Sequence, residues 1–245
     1  MIVVVVVALP VAAHVKIHFT VHKIAIPPFL VERYVGRRGK AHAFDRLEPA
    51  RTAHLIVDMQ NAFLAPGEAI EIAMAREIVP GINRMSAALR AAGGLVVYLQ
   101  NTVDETASRT WANYLQVFLG PERGAKFATA FASGGRGHAL WPELEVLPLD
   151  LKVPKRRFSA FVEGSSDLHS ILAGRGIDTV IISGTSTNVC CESTACDASM
   201  MNYKVVFLSD ATATYTDAEH NASLGNLLMF ADVMTVNEAV ARLRA

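Results

Sequence analysis

Residues 178–197 read DTVIISGTSTNVCCESTACD, and this stretch is the most informative about the fold. A run of apolar, mostly β-branched residues leads into Gly184, and a segment of helical character follows over 188–202. An apolar run without polar alternation is typical of a strand that is buried on both faces of a parallel sheet. Two adjacent cysteines, Cys190 and Cys191, therefore lie where a buried strand passes into a helix.

The same alternation of strand and helix extends in both directions along the chain. Apolar runs predict further strands in the segments AHLIVDM (53–59), LVVYLQ (95–100), LKVPK (151–155), KVVFLSD (204–210) and ADVMT (231–235). Helical spacing of apolar residues predicts helices over 71–92, 110–118, 166–176, 217–230 and 237–244. This alternation predicts a doubly wound, Rossmann-like α/β fold, in which helices cover both faces of a mainly parallel six-stranded sheet.

The composition excludes some classes of partner. The chain has 245 residues, of which 51% are hydrophobic, and its 23 basic residues balance its 23 acidic residues. This balance gives no net attraction to nucleic acid or to anionic lipid, so we expect neither a nucleic-acid partner nor a membrane. Three cysteines are too few for a disulfide framework in a chain of this length. We therefore expect a reducing compartment, the cytoplasm.

The chain begins with the strongly apolar segment MIVVVVVALPVAAH (1–14). The segment is too short to span a bilayer, and it lacks the basic start of a signal peptide. A buried strand or an over-extended reading frame explains it better than an export signal, which stays the alternative. We divide the chain into an apolar N-terminal extension, residues 1–22, and one domain, residues 23–245, because no linker or repeat interrupts the later alternation.

Three chemically useful side chains are predicted to meet at one edge of the sheet. Asp58 ends the first strand, Lys155 ends the third, and Cys190 follows the fourth. Ligands of such sheets bind beyond the carboxyl ends of the strands, where these residues lie. A helix N-terminus and a nearby ammonium are expected to make the Cys190 thiol more acidic than a free thiol. With Asp58 as its base and Lys155 as a counter-ion, the thiol suits acyl transfer at an amide-like carbon.

Each of these residues also has a purely structural alternative. An aspartate after a strand often caps the next helix, and a cysteine among small helical residues usually serves packing. A lysine between Pro154 and Arg156 is usually a solvated loop charge. Only the convergence of the three residues on one sheet edge favours catalysis.

Three segments resemble the signature blocks of the isochorismatase-like cysteine hydrolases. They are LIVDMQNAF (55–63), KRRFSAF (155–161) and SGTSTNVCCESTACDA (183–198), in the order of the family. The resemblance implies that Asp58, Lys155 and Cys190 form a catalytic triad. It also implies a cis peptide bond between Thr185 and Ser186, and an oxyanion hole made by the backbone N–H groups of Ser186 and Cys190.

The other two cysteines are given no catalytic role. Cys191 is expected to face helix packing, because neighbouring helical residues diverge by about 100°. Adjacent cysteines rarely meet the geometry of a disulfide, which argues against a redox role for Cys190 and Cys191. Cys196 stands where relatives usually have arginine, a departure that touches no member of the implied triad.

Within the family, the third block and residues 209–227 most resemble the ureidoacrylate and carbamoyl amidohydrolases. This resemblance implies cleavage of a C–N bond in a small amide or carbamoyl (ureido) compound. A covalent thioester-type intermediate and the release of ammonia are implied with it. The resemblance places Phe63, Asn101, Trp111 and Phe158 in the substrate site, and Arg156 or Arg157 would be available to a substrate carboxylate.

Cofactors and assembly can also be stated as expectations. The segment QNTVDETASRTW (100–111) contains no histidine that could act as a ligand, so we expect no metal and no cofactor. The partner is expected to be the small-molecule substrate, and the apolar C-terminal half is compatible with a homodimer or homotetramer.

Two other functions stay as alternatives. One is an isochorismatase-type ether hydrolase, which Cys190 argues against, because such relatives generally lack a cysteine there. The other is a catalytically silent scaffold that keeps the fold for oligomerisation. The intact trio of Asp58, Lys155 and Cys190 argues against a scaffold.

Overall fold

The computed structural model describes residues 21–244 and confirms the predicted sheet. Its strands are β1 (Thr52–Val57), β2 (Leu95–Asn101), β3 (Leu151–Lys155), β4 (Thr179–Thr185), β5 (Lys204–Ala213) and β6 (Asp232–Met234). They lie in the order β3-β2-β1-β4-β5-β6, and each pairing is parallel. The chain builds outward from β1 to β3, returns to the centre at β4 and builds outward again, which is the doubly wound arrangement.

Helices cover both faces of this sheet. They are α1 (Pro28–Val31), α2 (Asn61–Leu64), α3 (Val79–Ala91), α4 (Glu105–Thr110), α5 (Pro121–Ala130), α6 (Leu168–Gly174), α7 (Glu192–Met200), α8 (Asp217–Leu227) and α9 (Val236–Arg242). Short 3₁₀ turns occur at Pro49–Arg51 and Ala73–Arg76, and π-helical turns at Glu32–Gly36, Asn113–Phe118 and Thr187–Cys191. One hydrophobic cluster joins α3 and α9 to one face of the sheet, and a second joins α6, α7 and α8 to the other.

β1 and β4 approach each other closely where the winding of the chain reverses. Gly184 has a φ of 113°, and a Cβ atom there would overlap the carbonyl oxygen of Val57. Glycine fits this contact and adopts this backbone conformation without strain, whereas residues with a Cβ do not. Asp58, the residue after β1, has a φ of 54°. The close approach places Asp58 beside the turn that follows β4.

The N-terminal part of the described chain packs along α8. Asn221 on α8 accepts a hydrogen bond from the backbone N–H of Ala25 at 2.5 Å and donates one to the carbonyl of Lys23 at 2.8 Å. His22, which the sequence-based division assigns to the extension, is 2% exposed and takes part in this packing. Residues 1–20 lie outside the described residues, so the division at residue 22 stays a prediction. Among residues 21–244, no helix has both the length and the apolar character needed to cross a bilayer.

Candidate active site

Asp58 and Lys155 form a buried ion pair at the carboxyl edge of the sheet. Asp58 follows β1 directly, and Lys155 is the last residue of β3. β2 lies between these strands, and its last residue, Asn101, is in register with Lys155. Lys155 Nζ lies 2.8 Å from Asp58 Oδ2, and both side chains are fully buried. Lys155 Nζ also donates a hydrogen bond to the carbonyl of Arg157 at 3.0 Å, so protein groups hold the ammonium from two sides.

Cys190 joins this pair from the other side of β1. It lies in the π-helical turn after β4 and is 4% exposed. The peptide bond between Thr185 and Ser186, at the start of this turn, is cis. The Asp58 carboxylate and the Lys155 ammonium both act on the pKa of the Cys190 thiol, which therefore lies beside the ion pair. An acid, a lysine and a thiol from three separate segments therefore converge in one buried group.

Cys191 is turned away from this group. Its thiol contacts the carbonyl oxygen of Ser183, inside β4, at 3.9 Å. Its backbone N–H donates to the carbonyl of Ser186 at 3.0 Å, which closes the turn. Its side chain is fully buried in the hydrophobic cluster of α6, α7 and α8. The two neighbouring thiols thus have different surroundings.

Burial has the largest effect on the protonation of these groups. Burial raises the pKa of the Cys190 thiol; the Lys155 ammonium opposes this shift, and the charge of Asp58 adds to it. The expectation of an acidic thiol is therefore wrong, because burial outweighs the cation. Burial also raises the pKa of Asp58, against the effects of Lys155 and of the thiol hydrogen bond. Burial alone would lower the pKa of Lys155, but the charges of Asp58 and Cys190 raise it.

This arrangement suits the transfer of a proton from the thiol to Asp58. A neutral thiol beside a carboxylate can lose its proton as it attacks, so the site need not carry an isolated buried thiolate. Lys155 stays charged and balances the one negative charge that moves between Asp58 and Cys190. Neither carboxylate oxygen of Asp58 has a well-aligned hydrogen bond among the described residues. Such contacts commonly tighten when substrate binds.

The four residues predicted to line the substrate site differ in their position relative to the buried group. Trp111 and Phe158 are in edge-to-face contact, with ring centroids 4.9 Å apart. Asn101 is 4% exposed and lies at the end of β2, next to the ion pair. Phe63 is 7% exposed and packs in the hydrophobic cluster under α3. The aromatic pair thus forms a surface, whereas Phe63 is a core residue of this structure.

Trp111 and Phe158 line a cavity of about 710 Å³. Its lining also includes Asn188 and Glu192, which lie two residues to either side of Cys190. Cys190 itself is outside this lining, so the cavity flanks the buried group and does not enclose it.

Two tyrosines lie near Cys190 that sequence reasoning does not identify. Tyr114 stacks on Trp111 with ring centroids 4.4 Å apart. Burial, and then the charge on Cys190, raise the pKa of Tyr114. Burial, Glu219 and Cys190 together raise the pKa of Tyr215. No signal in the sequence marks these phenols, because each lies in a segment that reads as ordinary surface helix or loop.

The structure distinguishes the two arginines that follow Lys155. Arg156 Nε donates to Asp104 Oδ2 at 2.7 Å and is therefore paired. Arg157 stacks over Trp111, 5.4 Å from the ring centroid, and donates to Thr110 Oγ1 at 2.7 Å. Among the described residues, no carboxylate forms an ion pair with Arg157, which lines the cavity. Arg157 is thus the better placed of the two for an anionic group of a substrate.

The histidines near this edge of the sheet contact protein groups. His138 Nε2 lies 2.9 Å from Thr102 Oγ1, and His220 Nδ1 lies 2.9 Å from Thr187 Oγ1. Within residues 21–244, no group of three or more His, Cys, Asp or Glu side chains is arranged to hold a metal ion.

Known proteins with similar sequences identify the family of this chain. The family model of the isochorismatase domain matches residues 52–238. Ureidoacrylate amidohydrolase RutB of Variovorax paradoxus (strain S110) is 37% identical over 211 residues, covering 79% of this chain and 82% of its own. The protein of the same name from Pseudomonas savastanoi pv. phaseolicola is 34% identical over 198 residues, covering 76% and 80%.

Solved structures similar to this chain indicate the same family. A cysteine hydrolase from Pseudomonas syringae pv. phaseolicola 1448A superposes with a TM-score of 0.68 and 30% identity, covering 80% of this chain and 93% of that one. An isochorismatase-like hydrolase from Alkaliphilus metalliredigens gives a TM-score of 0.64 and 30% identity, covering 78% and 98%. These similarities confirm the resemblance to the isochorismatase-like cysteine hydrolases that the three sequence blocks indicated. The chain belongs to the isochorismatase-like hydrolase family.

Proposed function

We propose that this protein is a cysteine amidohydrolase that cleaves a C–N bond of a small carbamoyl (ureido) or amide compound. The observation that carries the proposal is the convergence of Cys190 with the buried ion pair of Asp58 and Lys155. Two relatives named ureidoacrylate amidohydrolase support the same class of reaction. Cys190 is the nucleophile, Asp58 carries the proton, and Lys155 balances the charge.

The first step forms an acyl enzyme. The Cys190 sulfur attacks the carbonyl carbon of the substrate while its proton moves to Asp58. The carbonyl oxygen takes up negative charge, and backbone N–H groups of Ser186 and Cys190 serve as the oxyanion hole. The C–N bond then breaks, Asp58 gives its proton to the leaving nitrogen, and a thioester-type intermediate remains on Cys190.

The second step restores the enzyme. Water attacks the acyl carbon and gives a proton to Asp58, the C–S bond breaks, and Asp58 returns the proton to the sulfur. With a ureido substrate that loses its amine in the first step, water releases carbamic acid, which decomposes to ammonia and carbon dioxide. With a primary amide, ammonia leaves in the first step. Ammonia is therefore the product to measure in both cases.

The surroundings of the buried group favour a flat substrate that carries an anionic group. Trp111, Tyr114 and Phe158 form a connected aromatic surface, with centroid distances of 4.4, 4.9 and 5.0 Å between them. Such a surface stacks well against a planar, conjugated molecule. Arg157 lies at its edge and is available to a carboxylate. A ureido acid combines these features.

The proposal is tested by ammonia release from a panel of ureido acids, N-carbamoyl amino acids, nicotinamide and simple amides. Cys190→Ala should lower the rate on the best substrate by at least about 1000-fold, because no nucleophile remains. Cys191→Ala, the matched control, should keep the rate. Absence of release from every compound would overturn the amidohydrolase and favour the scaffold.

A further inference from the structure

A second polar cluster lies behind the turn that carries Cys190, and the proposed mechanism does not use it. His22, from the N-terminal part of the described chain, stacks on His220 of α8 with ring centroids 4.2 Å apart and planes 16° from parallel. His22 is 2% exposed and His220 is fully buried. A stacked, buried pair of imidazoles far apart in sequence requires a specific hydrogen-bonding arrangement to be stable.

The partners of His22 fix its tautomer. Its Nδ1 lies 2.8 Å from Asp217 Oδ1, and a carboxylate oxygen only accepts. Its Nε2 accepts a hydrogen bond from the backbone N–H of Thr214 at 3.2 Å. Nδ1 therefore carries the proton, and Nε2 presents a lone pair to a donor.

The partners of His220 fix the opposite tautomer. Its Nε2 lies 3.1 Å from the carbonyl oxygen of Ser209 and therefore donates. Its Nδ1 lies 2.9 Å from Thr187 Oγ1, so the Thr187 hydroxyl donates to Nδ1. Burial, and then His22, lower the pKa of His220 to about 4, whereas Ser209 and Asp217 act in the other direction. Among the described residues, Asp217 is the charged side chain that contacts the pair.

Each imidazole connects to a different residue of the turn after the cis peptide bond. His220 holds Thr187 directly. His22 holds the backbone of Thr214, whose hydroxyl donates to Asn188 Oδ1 at 2.6 Å. Thr187 and Asn188 are the first two residues of the turn Thr187–Cys191, which follows Ser186 and contains Cys190. Two hydrogen-bond chains thus run from one histidine pair to consecutive residues of the turn.

We propose that His220 and His22 are positioning residues that hold residues 186–190 in the reactive arrangement. Without the His220 ring, the Thr187 hydroxyl loses its acceptor. Without the His22 ring, the Thr214 N–H loses its acceptor and the hydrogen bond that holds Asn188 loses its support. This inference rests on the proposed function, because it takes Cys190 as the reacting atom.

The test compares His220→Leu, His220→Gln and His22→Phe for ammonia release from the best ureido acid of the panel. His220→Leu and His22→Phe should lower kcat about 10- to 100-fold and leave KM within about 2-fold, because a misplaced nucleophile slows chemistry more than binding. Gln can donate to Ser209 and accept from Thr187 without titrating. His220→Gln should therefore retain most of kcat.

The matched control is His42→Gln. His42 also lies in the N-terminal part of the described chain and also contacts carboxylates, Asp232 at 3.1 Å and Glu238 at 3.3 Å, but it does not contact the turn. It should leave kcat unchanged. Wild-type kcat in both His220→Leu and His22→Phe would overturn the positioning role, and a kcat in His220→Gln as low as that in His220→Leu would show that the hydrogen bonds of His220 do not carry it.

A second readout keeps this test independent of turnover. The rate of Cys190 alkylation by iodoacetamide, measured with Cys191→Ala and Cys196→Ala in the background, reports the turn directly. Thermal unfolding of each variant shows whether it folds. If His220→Leu does not fold, the comparison of His220→Gln with the wild type replaces it. Suppose that the alkylation rate of Cys190 changes in His220→Leu or His22→Phe, while the wild type releases no ammonia. This result would support the positioning role and reject the proposed function. Unchanged alkylation in these variants would overturn the positioning role whatever the wild type hydrolyses.

Discussion

Asp58 and Lys155 illustrate how one residue determines the cost of burying another. Their side chains are fully buried and 2.8 Å apart, so each neutralises a charge that water cannot reach. The position of both residues at strand ends could be predicted from the sequence, since an apolar run that stops at a charged residue marks the sheet edge. The distance between them could not, because it depends on the register of β1, β2 and β3.

Lys155→Met should lower the free energy of unfolding by about 3–5 kcal/mol, because it leaves the buried Asp58 carboxylate without its counter-ion. The double change Asp58→Asn with Lys155→Met should recover part of this loss, since no unpaired charge remains. Urea unfolding at neutral pH measures both values. A loss in the double variant equal to the sum of the single losses would contradict an energetic coupling of the pair.

Tyr114→Phe should lower kcat/KM about 10-fold, the value of one hydrogen bond lost to the substrate. The ring stacked on Trp111 is kept, so the fold and the aromatic surface should not change. Tyr203→Phe is the matched control, because the Tyr203 hydroxyl binds His169 at 3.0 Å. Equal kcat/KM in Tyr114→Phe and wild type would remove Tyr114 from the substrate site. Sequence reasoning misses this residue because aromatic side chains of neighbouring elements meet only in the folded chain.

At the scale of the elements, the strands could be predicted more fully than the helices. The six apolar runs coincide with β1 to β6. In the central strands β1 and β4, burial on both faces leaves little freedom in the composition. The helix predicted over 71–92 is instead a 3₁₀ turn followed by α3, whose first turn contains Pro80. Proline lacks an N–H and favours the first turn of a helix, which separates the two parts. α5 is missed entirely, since its segment reads as irregular and Gly-rich.

Gly184→Ala should lower the free energy of unfolding by about 3 kcal/mol or more, because the new Cβ would overlap Val57 and the φ of 113° is unfavourable. Ammonia release should fall with it, since β1 and β4 carry Asp58 and the Cys190 turn. Gly174→Ala, at the end of α6, is the control: a Cβ there meets no atom within 4 Å. The free energies of unfolding of the two variants, measured with denaturant, should differ. Equal values would show that β1 and β4 can move apart at little energetic cost.

At the scale of the whole molecule, two buried histidines determine the response of stability to acid. His54 bridges Ser86 at 3.0 Å and Ser183 at 2.7 Å in the sheet, and burial lowers its pKa from 6.5 to about 3. Burial and His22 lower the pKa of His220 to about 4. The unfolded chain binds protons at these residues that the native state excludes, so the free energy of unfolding falls as pH decreases below about 6.5.

The expected slope is about 1.4 kcal/mol per pH unit for each histidine, between pH values of about 6 and 4. His54→Gln should remove one of these contributions. Urea unfolding at several pH values measures the slopes. A slope in His54→Gln equal to that of wild type would show that His54 takes up its proton in the native state.

The sequence also predicts a homodimer or homotetramer. Light scattering of the intact protein measures which of these it forms.

The reversal of winding at β4 has a consequence for how the protein is made. Asp58 lies in the first half of the chain and Cys190 in the second, and β1 and β4 are neighbours in the sheet. A growing chain that has produced only β1 to β3 presents an open strand edge and contains none of its three cysteines. Cys190, the proposed nucleophile, therefore meets Asp58, its proposed base, only when the two halves join. Fragments divided in the loop between α5 and β3 would each be chemically inert, and the return of hydrolysis on mixing would report their reassembly.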